Sequence, residues 1–546
     1  MLATLEPSPR SGEPVKFVPP VSESDSFSAA ARILWAGLAA LPFLSLYLVH
    51  YASPLGVPTG FIHGDMPYYC ANGREIFERG NGFAHPNPYD PDPDAPVIYF
   101  HWLTWALGFG IKKLGLEPGL LFVGLGVIGS LLCSYLTLRL VESRLPESRY
   151  RRTLFLFTMW GGGVFCLTRA AQNLLNGHPV AESLFAYDPF DGWWFQNWGR
   201  NLVFPTEAIY HALAAAVWLA VLSQRWKLAL LVAALLAATH PFSGLQILLI
   251  LFAWLSIVLW LKRTWQILGL WLAAVVLLGL FLGYYLVFLE SFEQHRSLRE
   301  TWSLSWTLDS AALLLGYGPI GVIAAHRFWV ARNRLSADDF FFAVCFGGSL
   351  LLAKHEWFIS PRQPLHFTRG YLWLPLCLLA LPALQRALID ARNRFSAPAF
   401  GCLLLVLGTV GVSDNAAFLV RQWQNQWQNA EEAGYFLTPA ERDMFSWIES
   451  QGLDGVLLCP DGKLSYLSAT YTAVRPYFGH WSETPQLQKR IEEVRCWFEE
   501  GKEGSWQAEI DFILIARTQI RSFHRLADWE IAYENEELLC LTRPAR

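Results

Sequence analysis

A lone carboxylate, Asp65, stands 14 residues past Tyr51, in the segment HGDMPYYCANGREIFERGNGFAHPNPYDPDPDAPVIYFHW spanning 63–102. Held just above a helical bundle, such a group suits a general base for a hydroxyl, because partial burial raises its pKa toward the working range. Asp before Met-Pro is also a good helix N-cap, so a purely local role stays open. Three cations, Lys354, Arg362 and Arg369, lie within 16 residues in LAKHEWFISPRQPLHFTRGYLW (352–373), and Arg369 directly precedes an apolar run. Arginine there matches the planar, bidentate geometry of a phosphate, or else snorkels to the bilayer surface. Glu207 and His211 are four apart in FPTEAIYHALAAA and share a helix face. An ionisable residue in an apolar run is a functional hypothesis, set against a first-turn Glu favoured by the helix dipole. His240 in ATHPFSG sits at a turn where Pro241 and Gly244 permit non-helical backbone beside a cavity; a satisfied turn histidine is the simpler alternative. Asp188 and Asp191, beside Trp193, Trp194 and Trp198, offer a second acid or a sugar-stacking surface, although tryptophans of a membrane protein more often form an aromatic belt. Asp90, Asp92 and Asp94 mimic the opening of a calcium loop. The pattern fails at Ala95 and His101, and the intervening prolines favour an extended stretch.

The elements that must position these residues are set by composition. Residues AVILMFWYC make up 53% of the 546, and charged residues 16% against about 25% in soluble domains. A polytopic membrane protein follows. Its net charge of −4 and scattered basic residues exclude a nucleic-acid surface. The nine cysteines contain no CxxC pair, so neither a disulfide framework nor a zinc site is expected.

Apolar runs predict eleven spans, at about 31–51, 118–138, 153–173, 203–223, 228–242, 245–261, 265–289, 310–326, 339–353, 371–385 and 397–415. With residues 1–30 as a disordered cytoplasmic terminus, the inner loops hold 15 basic residues in 44 positions and the outer loops 10 in 132, as the positive-inside rule requires. The run 97–111 is then an interfacial or re-entrant helix within a long first outer loop, 52–117. Charge density divides the chain near Arg421: residues 421–546 carry 33 charged residues in 126, and 31–420 form the membrane domain. The tail reads as a small extracytoplasmic α/β domain. Thr438-Pro-Ala-Glu441 is a capping box, a second helix is expected near 484–501, and GVLLCP (455–460), IDFILIA (510–516) and EELLCLT (536–542) read as buried strands. Its expected role is to cover or support the outer face.

A first span, a long outer loop opening on a lone Asp in GDMPYY, a Pro-rich stretch entering APVIYFHWLTW, many irregular spans and an outer C-terminal domain together resemble the GT-C superfamily of lipid-linked-sugar glycosyltransferases. The layout is similar to bacterial relatives of the protein-O-mannosyl and lipid A aminoarabinose transferases. The resemblance implies an all-α polytopic fold of about eleven transmembrane helices in a bacterial-type cytoplasmic membrane. It implies a polyprenyl-phosphate sugar donor, Asp65 as catalytic base in an inverting transfer, and Arg369, Arg362 and Lys354 at the donor phosphate. Glu207, His211, His240, Asp188 and Asp191 become acceptor-site or supporting residues. Asp65 has Gly64 and Met66 as neighbours rather than a second acid, which leaves a divalent metal open; no other cofactor is expected. A transporter or lipid flippase is the rival reading, and a structural subunit of an envelope complex a third.

Overall fold

The computed structural model describes residues 28–146, 148–184, 197–301, 306–332, 334–429, 434–522, 526 and 529–543. Asp188, Asp191, Trp193 and Trp194 lie outside them. Helix α1 (Ala29–Tyr51) leads through β1 (Val57–Pro58) to α2 (Met66–Glu78), the hairpin of β2 (Ala84–His85) and β3 (Tyr99–Phe100), and α3 (Trp102–Leu114). The bundle continues through α4 (Pro118–Arg144), α5 (Arg151–Trp160), α6 (Phe165–Leu175), α7 (Pro205–Leu222), α8 (Trp226–Ala237), α9 (Pro241–Lys262) and α10 (Trp265–Gly283). It then runs through α11 (Glu293–Thr301), α12 (Ser310–Val330), α13 (Ala337–Ala353), α14 (Trp373–Arg394) and α15 (Ala397–Gln428).

All eleven segments expected to span are helical. Among the described residues eight helices are long and apolar enough to cross a bilayer, nine if α5 and α6, bent by 67°, count as one span, and α8 is a shorter apolar helix. Helix α13, at 17 residues, is also short. The bend falls at Gly161-Gly162-Gly163, where the Asp414 carboxylate accepts from the Phe165 and Cys166 amides at 3.2 and 2.9 Å and so satisfies the exposed start of α6. Helix α7 is central: 72% of its apolar window is buried, against 17% for the stretch containing α10. Residues on α7 are thereby carried into the middle of the bundle. One end of the bundle is tied by ion pairs, Arg327 to Asp339 at 2.7 Å and Arg32 to Glu142 at 3.1 Å. The other end carries the first long loop and the tail.

The loop differs from its expected form at 97–111. Its first residues pair as a strand, Ala84 with Phe100 and His85 with Tyr99, and α3 begins only where the His101 ring accepts from the Thr104 amide at 3.2 Å. Helices α2 and α3 cross very closely. A Cβ on Gly108 would lie 2.0 Å from the Gly73 carbonyl oxygen, and one on Gly73 2.6 Å from that of Thr104.

Beyond α15 the tail contains β4 (Phe436–Leu437), α16 (Pro439–Ser450), β5 (Val456–Leu458), α17 (Gly462–Tyr471), β6 (Arg475–Pro476), α18 (Leu487–Arg495), β7 (Phe512–Ala516), β8 (Glu530–Glu534) and β9 (Leu538–Thr542). The capping box forms: Thr438 accepts from the Glu441 amide at 3.1 Å and Glu441 from the Thr438 amide at 2.8 Å. The sheet runs β6-β5-β7-β9-β8, with β5 parallel to β6 and β7, and β9 antiparallel to its neighbours. Strand β4 pairs instead with β1. Helix α15 continues past Arg421 to Gln428, because Gln422 and Gln426 are buried and Gln426 bonds the His50 ring at 2.8 Å.

Candidate active site

Asp65 occupies the N-cap of α2, with Pro67 in the first turn, yet its side chain makes no capping bond. Its Oδ1 accepts from His480 Nε2 at 3.2 Å and from Trp481 Nε1 at 3.3 Å. The local capping role is thus replaced by contacts to a tail loop more than 400 residues away in sequence. Tyr466 of α17 fixes the turn: its hydroxyl donates to the Gly64 carbonyl at 2.6 Å and accepts from the Tyr68 amide at 3.1 Å. Neither side-chain bond to Asp65 falls on Oδ2, and the side chain keeps 36% of its exposure, so a substrate hydroxyl can reach it.

The expected upward pKa shift does not occur. Burial pushes the Asp65 carboxyl up, but the His480 hydrogen bond, the charge of the nearby His63 and His480 rings and the Trp481 bond outweigh it. The group is held well below the usual carboxylate range and is ionised at neutral pH. His63 moves down, because burial and then the Arg369 and His480 charges oppose its protonation more than Asp65 favours it.

Arg369 is 7% exposed rather than free at a lipid surface. Its guanidinium is ion-paired with Glu207, meets His366 Nδ1 at 2.5 Å and lies 3.4 Å from His240 Nε2. His211 sits between the Glu207 and Arg369 carbonyl oxygens at 2.6 and 2.5 Å. His240 also caps α9, accepting from the Ser243 amide at 3.2 Å, so the turn role and the site role coexist. The backbone after Arg369 turns at Gly370, with φ +80°, where a Cβ would lie 2.8 Å from Trp198 Cα. Trp198 belongs to the core rather than to an aromatic belt: it is fully buried and donates to Thr137 at 2.9 Å.

Two side chains join the halves. His63 lies within electrostatic reach of both Asp65 and Arg369. Tyr69, hydrogen-bonded to Tyr210, feels Glu207, Asp65 and Arg369 together; burial and then Glu207 push its hydroxyl up to about 12. Glu207, His211, His240 and Arg369 therefore form one polar cluster, and His63 and Tyr69 sense both it and Asp65.

Lys354 and Arg362 stand apart from this group. Lys354 is buried and donates to the Leu308 carbonyl at 2.7 Å while pairing with Glu356 at 2.5 Å. The Arg362 side chain is exposed, and its amide donates to the His355 ring at 2.9 Å. Asp90, Asp92 and Asp94 form successive turns, with Asp90 3.7 Å from Arg490. Among the described residues no group of three or more His, Cys, Asp or Glu could hold a metal ion. An apolar cavity of about 220 Å³ opens between α8, α9 and α10, lined by Ala237, Ala238, Leu248, Phe281 and Tyr284. Ala238 is two residues from His240.

His366, His480 and Trp481 are not among the residues that the sequence singles out. His366 is close in sequence to Arg369, and this proximity was the available signal. His480 and Trp481 lie in GHWSETP, a polar, turn-rich stretch whose distant partner no local pattern reveals.

No protein-family model and no curated protein matches the chain. Solved structures do. The archaeal oligosaccharyltransferase AglB from Archaeoglobus fulgidus, in complex with an inhibitory peptide and a dolichol-phosphate, aligns at 12% identity over 89% of this chain and 69% of its own, TM-score 0.45. ArnT from Cupriavidus metallidurans bound to undecaprenyl phosphate aligns at 12% over 95% and 99%, TM-score 0.45. The mycobacterial arabinofuranosyltransferase AftD aligns at 15% over 94% and 40%, TM-score 0.46.

Proposed function

We propose that this protein is an inverting membrane glycosyltransferase that moves a sugar from a polyprenyl-phosphate donor to an acceptor hydroxyl at the outer face of a bacterial-type cytoplasmic membrane. The observation that carries this reading is a carboxylate held by His480 and Trp481 with one oxygen left open, and a buried Arg369 cluster whose charge reaches the same His63 and Tyr69 side chains. The acceptor O–H meets Asp65 Oδ2, its oxygen attacks the anomeric carbon, and the proton passes to the carboxylate. The bond from the anomeric carbon to phosphate oxygen breaks, and the polyprenyl phosphate leaves with the electron pair. Arg369, held by Glu207, His366 and His240, faces the departing phosphate and stabilises its growing charge. The apolar cavity between α8, α9 and α10 would take part of the prenyl chain. Polar groups gathered at one end of the bundle favour this reading over a transporter, whose ionisable groups collect near the bilayer midplane.

The test uses purified protein in lipid nanodiscs with a panel of undecaprenyl- and dolichyl-phosphate sugars and a membrane extract as acceptor source. Asp65→Asn preserves size but removes the base, and transfer should fall by roughly 10²–10⁴-fold with the fold intact. Unchanged transfer would overturn the assignment. Counterflow of an unaltered substrate, without transfer, would establish the transporter instead.

A further inference from the structure

The first long loop, α11 and the tail enclose a second cavity, of about 1020 Å³, that the mechanism above does not use. Residues 90–93 wall it from the first long loop, and Glu293, Gln294 and Ser297 from α11. The tail contributes the starts of β5, β6 and β7 together with Pro485, Gln486 and Arg490. Helix α11 is joined to the loop by the Tyr99 hydroxyl and His295 Nδ1, 3.2 Å apart. The charged groups of the lining are held in place. Arg475, fixed by two bonds to Glu75, also donates to the Asp92 carbonyl at 2.9 Å, and Arg490 donates to the Tyr477 carbonyl at 2.8 Å. Asp511 accepts from the Val456 amide at 2.8 Å, and Arg79 pairs with Asp454 at 2.9 Å. Guanidinium donors and carboxylate acceptors thus line one space in fixed orientations.

This lining selects a class of ligand. Six acids, Asp90, Asp92, Glu293, Asp454, Glu509 and Asp511, outnumber the three arginines, so a phosphorylated or uronic chain is repelled. The arginines set the same limit on a polycation. Among the described residues the apolar lining is confined to Val456 and three prolines, with no aromatic ring, so an alkyl chain finds no bed and a peptide no side-chain pockets. Strands β5 and β7 lie inside the sheet and offer no edge for pairing. A hydroxyl both donates and accepts, and a chain of sugars uses donors and acceptors alike. The volume is at the upper end of the roughly 300–1,000 Å³ usual for ligand sites, which leaves room for several sugar rings.

The walls adjoin the base. Tyr89, next to Asp90, packs against the His480 ring with centroids 5.8 Å apart, and the amide of Thr484, next to Pro485, donates to the His480 carbonyl at 3.1 Å. His480 is the residue that holds Asp65. We propose that this groove binds an uncharged oligosaccharide, the body of an acceptor whose terminal hydroxyl is presented to Asp65. The second half of the assignment rests on the transferase reading; the groove's ligand class does not.

The test titrates full-length protein in nanodiscs with maltohexaose, mannohexaose and chitohexaose, and with hexagalacturonate and a hexalysine peptide as charged probes, binding being followed by saturation-transfer NMR. At least one neutral hexasaccharide should bind more tightly than either charged probe. Ser297→Trp, which fills the groove from α11, should abolish that binding with an unchanged thermal melt. Gln294→Ala, which removes one amide and adds no bulk, should weaken it about 2–10-fold. The same variant should raise KM for the membrane-extract acceptor by a similar factor at constant kcat, as expected for a contact made equally in ground and transition states. No binding of any neutral probe, tighter binding of hexalysine or hexagalacturonate, or binding that both variants leave unchanged would overturn the proposal. Saccharide binding that Ser297→Trp abolishes, in a protein whose transfer survives Asp65→Asn, would leave the groove standing and refute the base assignment. Transfer that depends on Asp65 without saccharide binding in the groove would do the reverse.

Discussion

His480 decides how Asp65 behaves as an acid. Its Nε2 bond at 3.2 Å is the largest influence holding the carboxyl down against burial. A base must be ionised to act, so activity is lost only as pH falls through the lowered pKa, and wild-type transfer should persist well into the acid range. His480→Ala removes that bond and lets burial act, so the acid limb of kcat/KM should move upward by about one pH unit. An unmoved limb would show that Asp65 is not the titrating group. At this scale the sequence revealed individual residues better than their partners. Asp65, Glu207, His211, His240 and Arg369 stand out by type and position, because an ionisable residue near an apolar run needs an explanation, and the last four meet in the fold. The expected pKa direction was wrong because it depended on His480, 415 residues away. Lys354 and Arg362 were grouped with Arg369 by spacing, but the chain between them folds into short turns and Lys354 turns inward to Leu308 and Glu356.

Helices α2 and α3 fix where Asp65 stands, since α2 begins at the next residue and α3 is packed against it through glycine. Gly108→Ala would place a methyl group 2.0 Å from the Gly73 carbonyl and force the helices apart. Destabilisation of about 1–3 kcal/mol is expected, with loss of transfer exceeding any loss of folded protein, as measured by thermal melts beside activity. A fully active and equally stable Gly108→Ala protein would refute the tight crossing. The spans were legible because long apolar runs carry a strong signal. Weak signals failed elsewhere. Strand β8, EIAYE, is an exposed edge strand with little apolar alternation, and β6 is two residues long with a proline. Helix α17 buries Ser465, Ser468 and Thr470, hydroxyl residues that suggest a loop until α2 packs against them.

Across the whole molecule, the tail is locked to the first long loop by charges on both sides. Arg475 forms two bonds to Glu75 at 3.1 and 3.0 Å, Arg74 meets Glu449 at 2.5 Å, Lys112 reaches the same Glu449 at 3.0 Å, and Arg79 pairs with Asp454 at 2.9 Å. Glu75 and Arg475 are both buried, so Glu75→Ala leaves a desolvated arginine and should cost about 3–5 kcal/mol. Limited proteolysis should then release the tail, and transfer should be lost, because His480 and Trp481 come from it. A protease-resistant, active Glu75→Ala protein would show that this ion pair does not hold the site together. The sequence placed the tail over one face of the bundle, but its share in the site depends on these long-range pairs. The most direct measurement of the central claim is an experimental structure with a non-transferable polyprenyl-phosphate sugar bound. The account predicts the phosphate beside Arg369 and the anomeric carbon between it and Asp65, close enough for an acceptor oxygen to approach at about 3–3.5 Å. A phosphate bound at the Arg144–Asp339 end of the bundle, with Asp65 far from the sugar, would contradict it.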